Sequence, residues 1–301
     1  HLLSLTVATY RALVTAGVAL TGGDQITLSD TAANLQGLDV AEIAALASAG
    51  VDFFNATGAT ANNPITLTYA QAAALGAIVV DAGDTLTVTC SSAELASANI
   101  TALKASGVDI LKSSDAGHLL SLTVATYRAL VTAGVALTSA DTVTLSDTAV
   151  NLKELVPSEI AALKTNGVDV IDANDQPATP LIWSVDQAKA LPSGVTFGST
   201  NIVKISDDAS SISDLTEGQI VVLAAAGVDV LDAGGHAVTF TAPKAKVLGA
   251  ITFNGDDSVT VTGSATEIGG LDFGKLNSAH IDFIDASDNA LSLSVAQFNA
   301  L

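Results

Sequence analysis

Short runs of alternating apolar and hydroxyl residues carry the most regular chemistry-bearing pattern in the sequence. Aligning these strand-like runs places Ser or Thr at one outward position in all eleven, and at the position two residues earlier in nine. On parallel strands these hydroxyls would lie about 4.8 Å apart between strands and about 6.7 Å apart along each strand. Such a lattice can order water or hydrogen-bond a polysaccharide, which predicts an ice- or glycan-binding surface. The candidate binding residues are Thr6, Thr27, Ser29, Thr66, Thr68, Thr87, Thr89, Thr123, Thr144, Ser146, Thr239, Thr241, Thr260 and Thr262.

A structural interpretation of the same hydroxyl columns stays open. Thr suits an exposed strand face, and Ser or Thr is a preferred cap for a helix that follows. Ile182 and Lys204 interrupt the second column, and many positions are Ser rather than Thr. The pattern therefore predicts exposed strand faces and caps first, and ligand binding second.

Aspartate-rich turns supply the candidate metal ligands, because carboxylate oxygens are ligands that calcium prefers. The turns at Thr21–Ile26 and Ala82–Leu86 resemble half of a calcium-binding nonapeptide repeat, and neither is complete. The sequence leaves weak calcium binding open at two adjacent pairs of aspartates, and it requires no cofactor. The candidate metal residues are Asp207, Asp208, Asp256 and Asp257.

A second set of aspartates recurs once in each repeat. It consists of Asp52, Asp109, Asp169, Asp229 and Asp282. In a stacked array these residues would belong to every second coil, so neighbours would lie about 9.6 Å apart. One ion with Ca–O bonds of about 2.4 Å cannot bridge that distance. We therefore expect these side chains to be solvated carboxylates.

Groups able to act as nucleophiles or general bases are scattered along the chain. The four histidines are His1, His118, His236 and His280. A Ser-His-Asp site needs one geometry at one place, whereas these residues are spread along a repeat, and no glycine-rich phosphate motif occurs. The single cysteine, Cys90, is expected to be a small apolar filler. These patterns predict that the chain is not an enzyme.

Composition narrows the class of partner. Acidic residues outnumber basic residues 31 to 11, which gives a formal net charge of -20. Such a chain repels phosphate backbones and anionic lipids, so neither nucleic-acid binding nor membrane-surface binding is expected. No apolar run approaches the ~18 residues of a membrane-spanning helix, which predicts no membrane insertion.

The sequence is an array of repeats. Residues 1–21 recur without change as residues 118–138, an offset of 117 residues. Weaker copies, marked by a Gly-Val-Asp motif, divide the chain into about five repeats of about 58 residues. The expected boundaries are 1–58, 59–117, 118–176, 177–234 and 235–301. With no start Met and no visible capping repeat, we expect the chain to be a segment of a longer protein.

Each repeat has two similar halves, and each half predicts a strand, a helix and a second strand. The helix over Asp39–Ala49, for example, would present Val40, Ile43, Leu46 and Ala47 on one face. Such coils predict a single elongated parallel α/β solenoid of about ten coils, with first strands in one sheet and second strands in another. A pair of ordinary parallel α/β domains is the alternative fold. The expected interior residues include Leu5, Leu28, Leu67, Val88, Leu122 and Leu145.

The sequence segments Val168–Ala173 and Leu291–Gln297 resemble repeat units of very large secreted or surface proteins of alphaproteobacteria. In those proteins such arrays often accompany calcium-binding RTX repeats and are exported by type I secretion. The resemblance spans the whole chain and implies an extracellular or cell-surface location, with a role as an acidic, cysteine-poor spacer or adhesive rod.

The sequence therefore predicts a structural or adhesive repeat segment of a secreted bacterial protein. A module that binds ice or a glycan through the hydroxyl columns is the alternative function. The expected partners are neighbouring repeats or a second copy of the chain, stacked end to end, and also a polysaccharide or another surface.

Overall fold

A computed structural model describes residues 1–20, 23–58, 64–176 and 179–300. The chain divides into two compact units, His1–Val143 and Thr144–Leu301. The nonapeptide-like turn predicted at Thr21–Ile26 begins outside the described residues, and only its remainder is structurally placed.

Strands and short helices alternate along both units. The strands are β1 (Leu2–Leu5), β2 (Gln25–Thr31), β3 (Phe53–Thr57), β4 (Ile65–Thr68), β5 (Val79–Val80), β6 (Leu86–Cys90), β7 (Val108–Ser113), β8 (Leu119–Leu122), β9 (Ala136–Leu137), β10 (Thr142–Asp147), β11 (Val170–Ala173), β12 (Leu181–Trp183), β13 (Thr196–Phe197), β14 (Val203–Ser206), β15 (Val230–Asp232), β16 (Ala237–Thr241), β17 (Thr252–Phe253), β18 (Ser258–Gly263) and β19 (Phe283–Ala286). The helices are α1 (Val7–Thr15), α2 (Ala32–Gln36), α3 (Val40–Ser48), α4 (Tyr69–Ala74), α5 (Ser92–Ala96), α6 (Ile100–Ala105), α7 (Val124–Ala133), α8 (Ala149–Lys153), α9 (Pro157–Ala162), α10 (Val185–Lys189), α11 (Ala209–Ser213), α12 (Glu217–Ala226), α13 (Ala242–Lys246), α14 (Ala265–Gly269), α15 (Phe273–Ser278) and α16 (Val295–Ala300).

We call the strand that opens each half-repeat a first-type strand and the strand that follows its helices a second-type strand. In the first-type strands, the alternation of apolar and hydroxyl residues decides which side chains are buried. In β4, Ile65 and Leu67 are buried, whereas Thr66 is half-buried and Thr68 is exposed. Successive strand side chains point to opposite faces, so this period of two places the aliphatic residues in the core. The interior residues expected from the sequence are all buried.

Most helices begin at side-chain caps, and several end at or just before a glycine. At α3, the carboxylate of Asp39 accepts from the backbone N–H of Glu42, and the Glu42 carboxylate accepts from the N–H of Asp39. Gly50, just after the helix, has a positive φ of 84°, which a residue without Cβ adopts at little cost. Ile43 and Leu46 are buried, but Val40 is 44% exposed, so the predicted apolar face of this helix is narrower than expected.

In the first unit, two sheets follow each other along the chain. The first sheet has the order β1-β2-β3-β5 and the second has the order β4-β6-β7-β9. The connection between them is interleaved, because β4 opens the second sheet, α4 follows, and β5 then pairs with β3 of the first sheet. The same arrangement recurs at α7, after which β9 pairs with β7.

In the second unit, strands β13, β11 and β10 lie side by side in that order and belong to the third sheet. The fourth sheet has the order β12-β14-β15-β17. The fifth sheet has the order β16-β18-β19 within the described residues. The strand pairings described here for these sheets are parallel.

The prediction of a single parallel α/β solenoid with two continuous sheets is wrong. The described strands form five separate parallel sheets of three or four strands each. Strands of both predicted types lie in one sheet, since β2 pairs with β1 on one side and with β3 on the other. The second-type strand β3 thus lies beside β2, where the next first-type strand was expected. That next first-type strand, β4, opens the following repeat and begins a new sheet.

Aromatic side chains reinforce the core of the second unit. The Trp183 ring is fully buried and meets Phe197 edge to face, with ring centroids 5.2 Å apart. The indole N–H donates to the backbone carbonyl of Leu152 at 3.4 Å, which satisfies its polar atom inside the core. Among the described residues, no helix has the length and apolarity needed to cross a membrane.

Candidate functional site

Aspartate carboxylates that bond the backbone of an earlier segment are a polar feature that recurs in both units. These contacts join residues 22 to 28 positions apart, and each connects one strand–helix segment to the next. The aspartates fall into three groups, according to whether the N–H that they bind opens a strand, opens a helix or ends a strand. We refer to all of them as inter-segment carboxylates.

The first group binds the N–H at or next to the start of a strand. The carboxylate of Asp52 accepts from the Ile26 N–H at 2.8 Å, and the Asp52 N–H donates to the Ile26 carbonyl at 2.9 Å. Asp229 makes the same two contacts with Val203. The remaining contacts of this type join Asp109 to Leu86 and Asp282 to Val259. These aspartates were expected to be solvated, and the structure instead places their carboxylates on backbone N–H groups.

The second group binds the first N–H of a helix. The Asp30 carboxylate accepts from the N–H of Val7, the first residue of α1, at 3.0 Å. The further pairs are Asp115 with Ser92, Asp175 with Ala149, Asp207 with Val185 and Asp288 with Ala265. A helix leaves its first N–H groups without an internal partner, and a negative charge there also interacts favourably with the helix dipole. Each such carboxylate therefore completes the cap of a helix in the preceding segment.

Two members of this group have a lowered pKa. Hydrogen bonds from the Asn34 side chain and the Thr31 N–H lower the pKa of the Asp30 carboxyl. Hydrogen bonds from the N–H and hydroxyl of Ser92 lower the pKa of Asp115. Both carboxylates are therefore stabilised in their charged form, as a charge-assisted contact to backbone N–H requires.

The third group binds an N–H at the end of a second-type strand. Asp84 accepts from Ala56 at 2.6 Å, and burial raises the pKa of that carboxyl. Asn201 accepts from Ala173 at 3.0 Å, which shows that an amide can fill the same role. The other pairs are Asp141 with Ser113 and Asp257 with Ala233. Sequence reasoning missed most of this group, and the one available signal was an acidic or amide residue in each turn before a first-type strand.

Asp141 is the least satisfied of these carboxylates. Its side chain is fully buried, and Oδ2 accepts from the Ser113 N–H at 2.6 Å. Oδ1 has no hydrogen-bond partner and lies 3.6 Å from Nδ1 of His118. The His118 ring is 62% exposed and its backbone has a positive φ of 57°. This places an imidazole beside an unsatisfied carboxylate oxygen.

The structure places the predicted calcium ligands at backbone contacts or on the surface. Asp207 accepts from Val185 and from the Asp208 N–H, while Asp208 caps α11. Asp257 accepts from two N–H groups, those of Ala233 and Gly235, and Asp256 is exposed. Among the described residues, no three His, Cys, Asp or Glu side chains come together as a metal-binding group. Calcium at these residues stays a prediction.

The hydroxyl columns come into register only across pairs of strands. In the second sheet the aligned residues are Thr66 with Thr87 and Thr68 with Thr89. In the fifth sheet they are Thr239 with Thr260 and Thr241 with Thr262. The third strand of each sheet then presents Ile110 beside Thr87 and Phe283 beside Thr260. Each patch is therefore two strands wide.

The hydroxyl candidates in β2 and β10 also lie beside strands of the second type. Thr27 and Ser29 align with Phe53 and Asn55, and Thr144 and Ser146 align with Val170 and Asp172. Thr87 is buried, whereas the remaining candidate hydroxyl residues are exposed or half-buried.

Several of these hydroxyls are helix caps. The Thr6 hydroxyl accepts from the Thr9 N–H at 3.1 Å, and Thr123 does the same for Thr126. Thr68 caps α4 through Gln71, and Thr241 precedes α13 without a side-chain cap bond. On the neighbouring strands the cap comes two residues after the aligned hydroxyl, at Thr31, Ser91, Thr148 and Ser264. Each aligned column of hydroxyls therefore contains both helix-capping residues and residues within strands.

Cys90 lies in the core, and His236 and His280 contact backbone carbonyls. Cys90 is buried, and burial together with the carboxylates of Glu94, Asp115 and Asp141 raises the pKa of its thiol to about 12. His236 Nδ1 contacts the Ala233 carbonyl at 2.8 Å, and His280 Nδ1 contacts the Phe253 carbonyl at 2.9 Å. The thiol is therefore protonated at neutral pH.

Comparison with known proteins gives little to compare. No family model matches the chain. No curated protein matches it either. One similar solved structure is orotidine 5'-phosphate decarboxylase from Lactobacillus acidophilus, with 11% identity, a TM-score of 0.18, and coverage of 95% of this chain and 88% of that one. Because this similar structure is an enzyme, we withdraw the prediction that the chain is not an enzyme, and we infer no activity from the match. A TM-score of 0.18 carries no argument about fold or activity.

Substitution of Asp141 tests the inter-segment contact directly. Asp141→Ala leaves the buried Ser113 N–H without a partner and should lower the free energy of unfolding by about 1–3 kcal/mol. Asp141→Asn keeps an acceptor, as Asn201 does, and removes a buried charge, so its stability should equal or exceed that of the wild type. Urea unfolding at neutral pH measures both. Equal losses in the two variants would show that the Ser113 contact does not account for the effect.

The lowered pKa of Asp208 predicts that the stability of the folded chain depends on pH in the acidic range. Hydrogen bonds from the Ser210 hydroxyl and from the N–H and hydroxyl of Ser211 lower the Asp208 pKa from 3.8 to about 2. Its contribution is fully present above the unfolded pKa and is lost as the pH falls through the folded pKa. Asp208→Asn retains a good cap without a titrating group. The wild type should therefore be more stable than this variant at pH ~7, with the difference shrinking towards pH ~2.

Urea midpoints of both proteins across this pH range check the prediction. Ser210→Ala, which removes the leading hydroxyl donor, should give a smaller pH-dependent difference of the same sign. A wild-type advantage that is constant with pH would contradict the assignment.

Proposed function

We propose that this chain is a structural or adhesive repeat segment of a secreted or cell-surface bacterial protein. The observation that carries the proposal is the recurrence of one polar contact throughout both units. Carboxylates bind backbone N–H groups from Asp30 near the start of the described chain to Asp288 near its end. These contacts stabilise every repeat, which suits a segment that acts as a spacer or rod.

The charge of the chain supports an exposed location. Inter-segment carboxylates are fixed by the fold, and Asp256 is among the acidic side chains that face solvent. With a net charge of -20, the segment is soluble and repels an anionic cell envelope, so it extends away from that surface. No cofactor enters this role, and calcium remains open at the aspartate pairs Asp207–Asp208 and Asp256–Asp257.

Polysaccharide binding is a second candidate, favoured by the register of the fifth sheet. We define the fifth-sheet patch as Thr239, Thr241, Thr260 and Thr262. Thr239 and Thr241 are exposed and their partners are half-buried, so four hydroxyls stand on one accessible face. Sugar hydroxyls both donate and accept hydrogen bonds, which matches the bonding capacity of Thr.

Surface labelling of the bacterium that encodes this chain tests the main proposal. An antibody raised against the chain should bind intact cells or the secreted fraction, and protease added to intact cells should remove the cell-bound signal. A cytoplasmic marker protein, which must survive the protease, is the control. Signal that appears only after lysis would contradict an extracellular role.

Substitution of the fifth-sheet patch by Val tests the second candidate. Val keeps the β-branched shape and strand preference of Thr but removes the hydroxyl. Thr241→Val is tolerable because this residue makes no side-chain cap bond. Replacing all four residues should weaken polysaccharide binding at least about tenfold, since each hydrogen bond contributes about 0.5–1.5 kcal/mol.

Binding to a panel of immobilised polysaccharides provides the measurement. Thr142→Val, an exposed strand hydroxyl outside the columns, is the matched control and should bind as the wild type does. Unchanged binding by the fourfold variant, or no binding by the wild type, would remove this candidate.

A further inference from the structure

One buried carboxylate oxygen in the first unit has no hydrogen-bond partner, and an exposed imidazole faces it. The Asp141 side chain is fully buried, and its Oδ1 lies 3.6 Å from Nδ1 of His118. We propose that these two atoms bind a divalent transition-metal ion such as zinc. Such a site would exist whether or not the chain has the role at a cell surface that is proposed above.

The missing hydrogen bond distinguishes Asp141 from an aspartate with the same backbone role. Asp257 also binds the N–H at the end of a second-type strand, and its two oxygens accept from Ala233 and Gly235 at 2.8 Å each. Asp141 makes only the first kind of contact, with the Ser113 N–H at 2.6 Å. Because an unpaired carboxylate oxygen is unfavourable inside a protein, a ligand that binds Oδ1 would be stabilised there.

The separation of the two ligand atoms fits one shared ion better than a direct hydrogen bond. Hydrogen bonds from N–H to O span about 2.7–3.2 Å, so the observed 3.6 Å is too long. Zinc binds His nitrogen and Asp oxygen at about 2.0–2.2 Å, and tetrahedral coordination then places those two atoms about 3.4 Å apart. The observed separation therefore needs little adjustment to accept the ion.

The chemistry of the pair selects the class of metal. An imidazole nitrogen with a carboxylate oxygen suits zinc and other transition metals, whereas calcium takes oxygen ligands. Within the described residues, no third His, Cys, Asp or Glu completes a group here, so water would occupy the remaining positions. Oδ1 of Asp141 is enclosed and the His118 ring is 62% exposed, so the ion would enter from the imidazole side.

Ser113 holds both ligands in place. Its N–H donates to Oδ2 of Asp141, which leaves the other oxygen facing His118. Its hydroxyl donates to the Leu119 carbonyl and accepts from the Asp115 N–H, so it fixes the chain on both sides of His118. The His118 N–H also donates to the Asp115 carbonyl at 3.2 Å. Hydrogen bonds to a ligand from outside the metal site fix its orientation, and losing one commonly weakens metal binding by about 10–100-fold.

The ion would connect two consecutive segments of the first unit. His118 lies just before β8, and Asp141 lies just before β10. An ion bound by both residues in the folded chain stabilises that state, since the unfolded chain does not hold the two side chains together. The net charge of -20 also raises the concentration of cations near the surface, which favours binding.

Zinc titration followed by NMR of the imidazole nitrogens provides the first test. Addition of ZnCl2 to the full chain at neutral pH should shift the Nδ1 signal of His118, and the His118→Ala spectrum identifies that signal. The signals of the other three histidines report separately on any zinc bound elsewhere. CaCl2 at the same concentration should leave the His118 signal in place.

Asp141→Asn separates metal binding from folding. The amide keeps an acceptor for the Ser113 N–H, as Asn201 does for Ala173, but it lacks the charged oxygen that binds the ion. The variant should therefore fold as the wild type does. The zinc concentration that half-shifts the His118 signal should nevertheless rise at least about tenfold.

Asp84→Asn is the matched control, because it makes the same change at the Ala56 contact. It should bind zinc at His118 as the wild type does. In thermal unfolding, zinc should raise the midpoint of the wild type and of Asp84→Asn by more than that of Asp141→Asn. A His118 signal that zinc leaves in place, an equal response to calcium, or unchanged affinity in Asp141→Asn would overturn the proposal.

Discussion

The hydrogen bond from a backbone N–H to an aspartate carboxylate of the following segment is the interaction on which this structure depends. Short strands and helices leave their first N–H groups without partners, and burying such a group unpaired costs about 1–3 kcal/mol. Here Asp52 satisfies Ile26 at a strand, and Asp30 satisfies Val7 at a helix. Each segment is therefore complete only when the next segment supplies its carboxylate.

This requirement explains part of the acidic composition. Every added segment brings aspartates whose charge the backbone contact uses, and few lysines or arginines accompany them. In Asp30, hydrogen bonds from the Asn34 side chain and the Thr31 N–H lower the carboxyl pKa, and in Asp115 the inter-segment bonds from Ser92 do so. Asn201 shows that an amide can make the same contact, so the acceptor geometry is essential and the charge adds to it. The backbone contacts therefore give these aspartates a structural role.

Local structure was largely predictable from the sequence, whereas the assignment of strands to sheets was not. Alternation in Ile65–Thr68 gives β4 with its observed ends, and Asp39 marks the start of α3. The two-residue alternation of apolar and polar side chains predicts which face of a strand is buried, but it does not predict which strand lies beside it. That neighbour depends on contacts such as Asp52 to Ile26, across 26 residues, and no local pattern encodes them. The hydroxyl columns failed as continuous columns for the same reason.

The duplicated sequence separates local effects from neighbour effects within one molecule. Leu2–Leu5 and Leu119–Leu122 both form strands, and a capped helix follows each, so these elements are determined by their own residues. Burial differs, since Leu3 is 37% exposed and its counterpart Leu120 only 1% exposed. The strand β9 forms in one copy and has no counterpart in the other. A two-residue strand such as β9 therefore depends on an adjacent sheet that provides hydrogen-bonding partners. Identical repeats of the sequence consequently need not have identical structures.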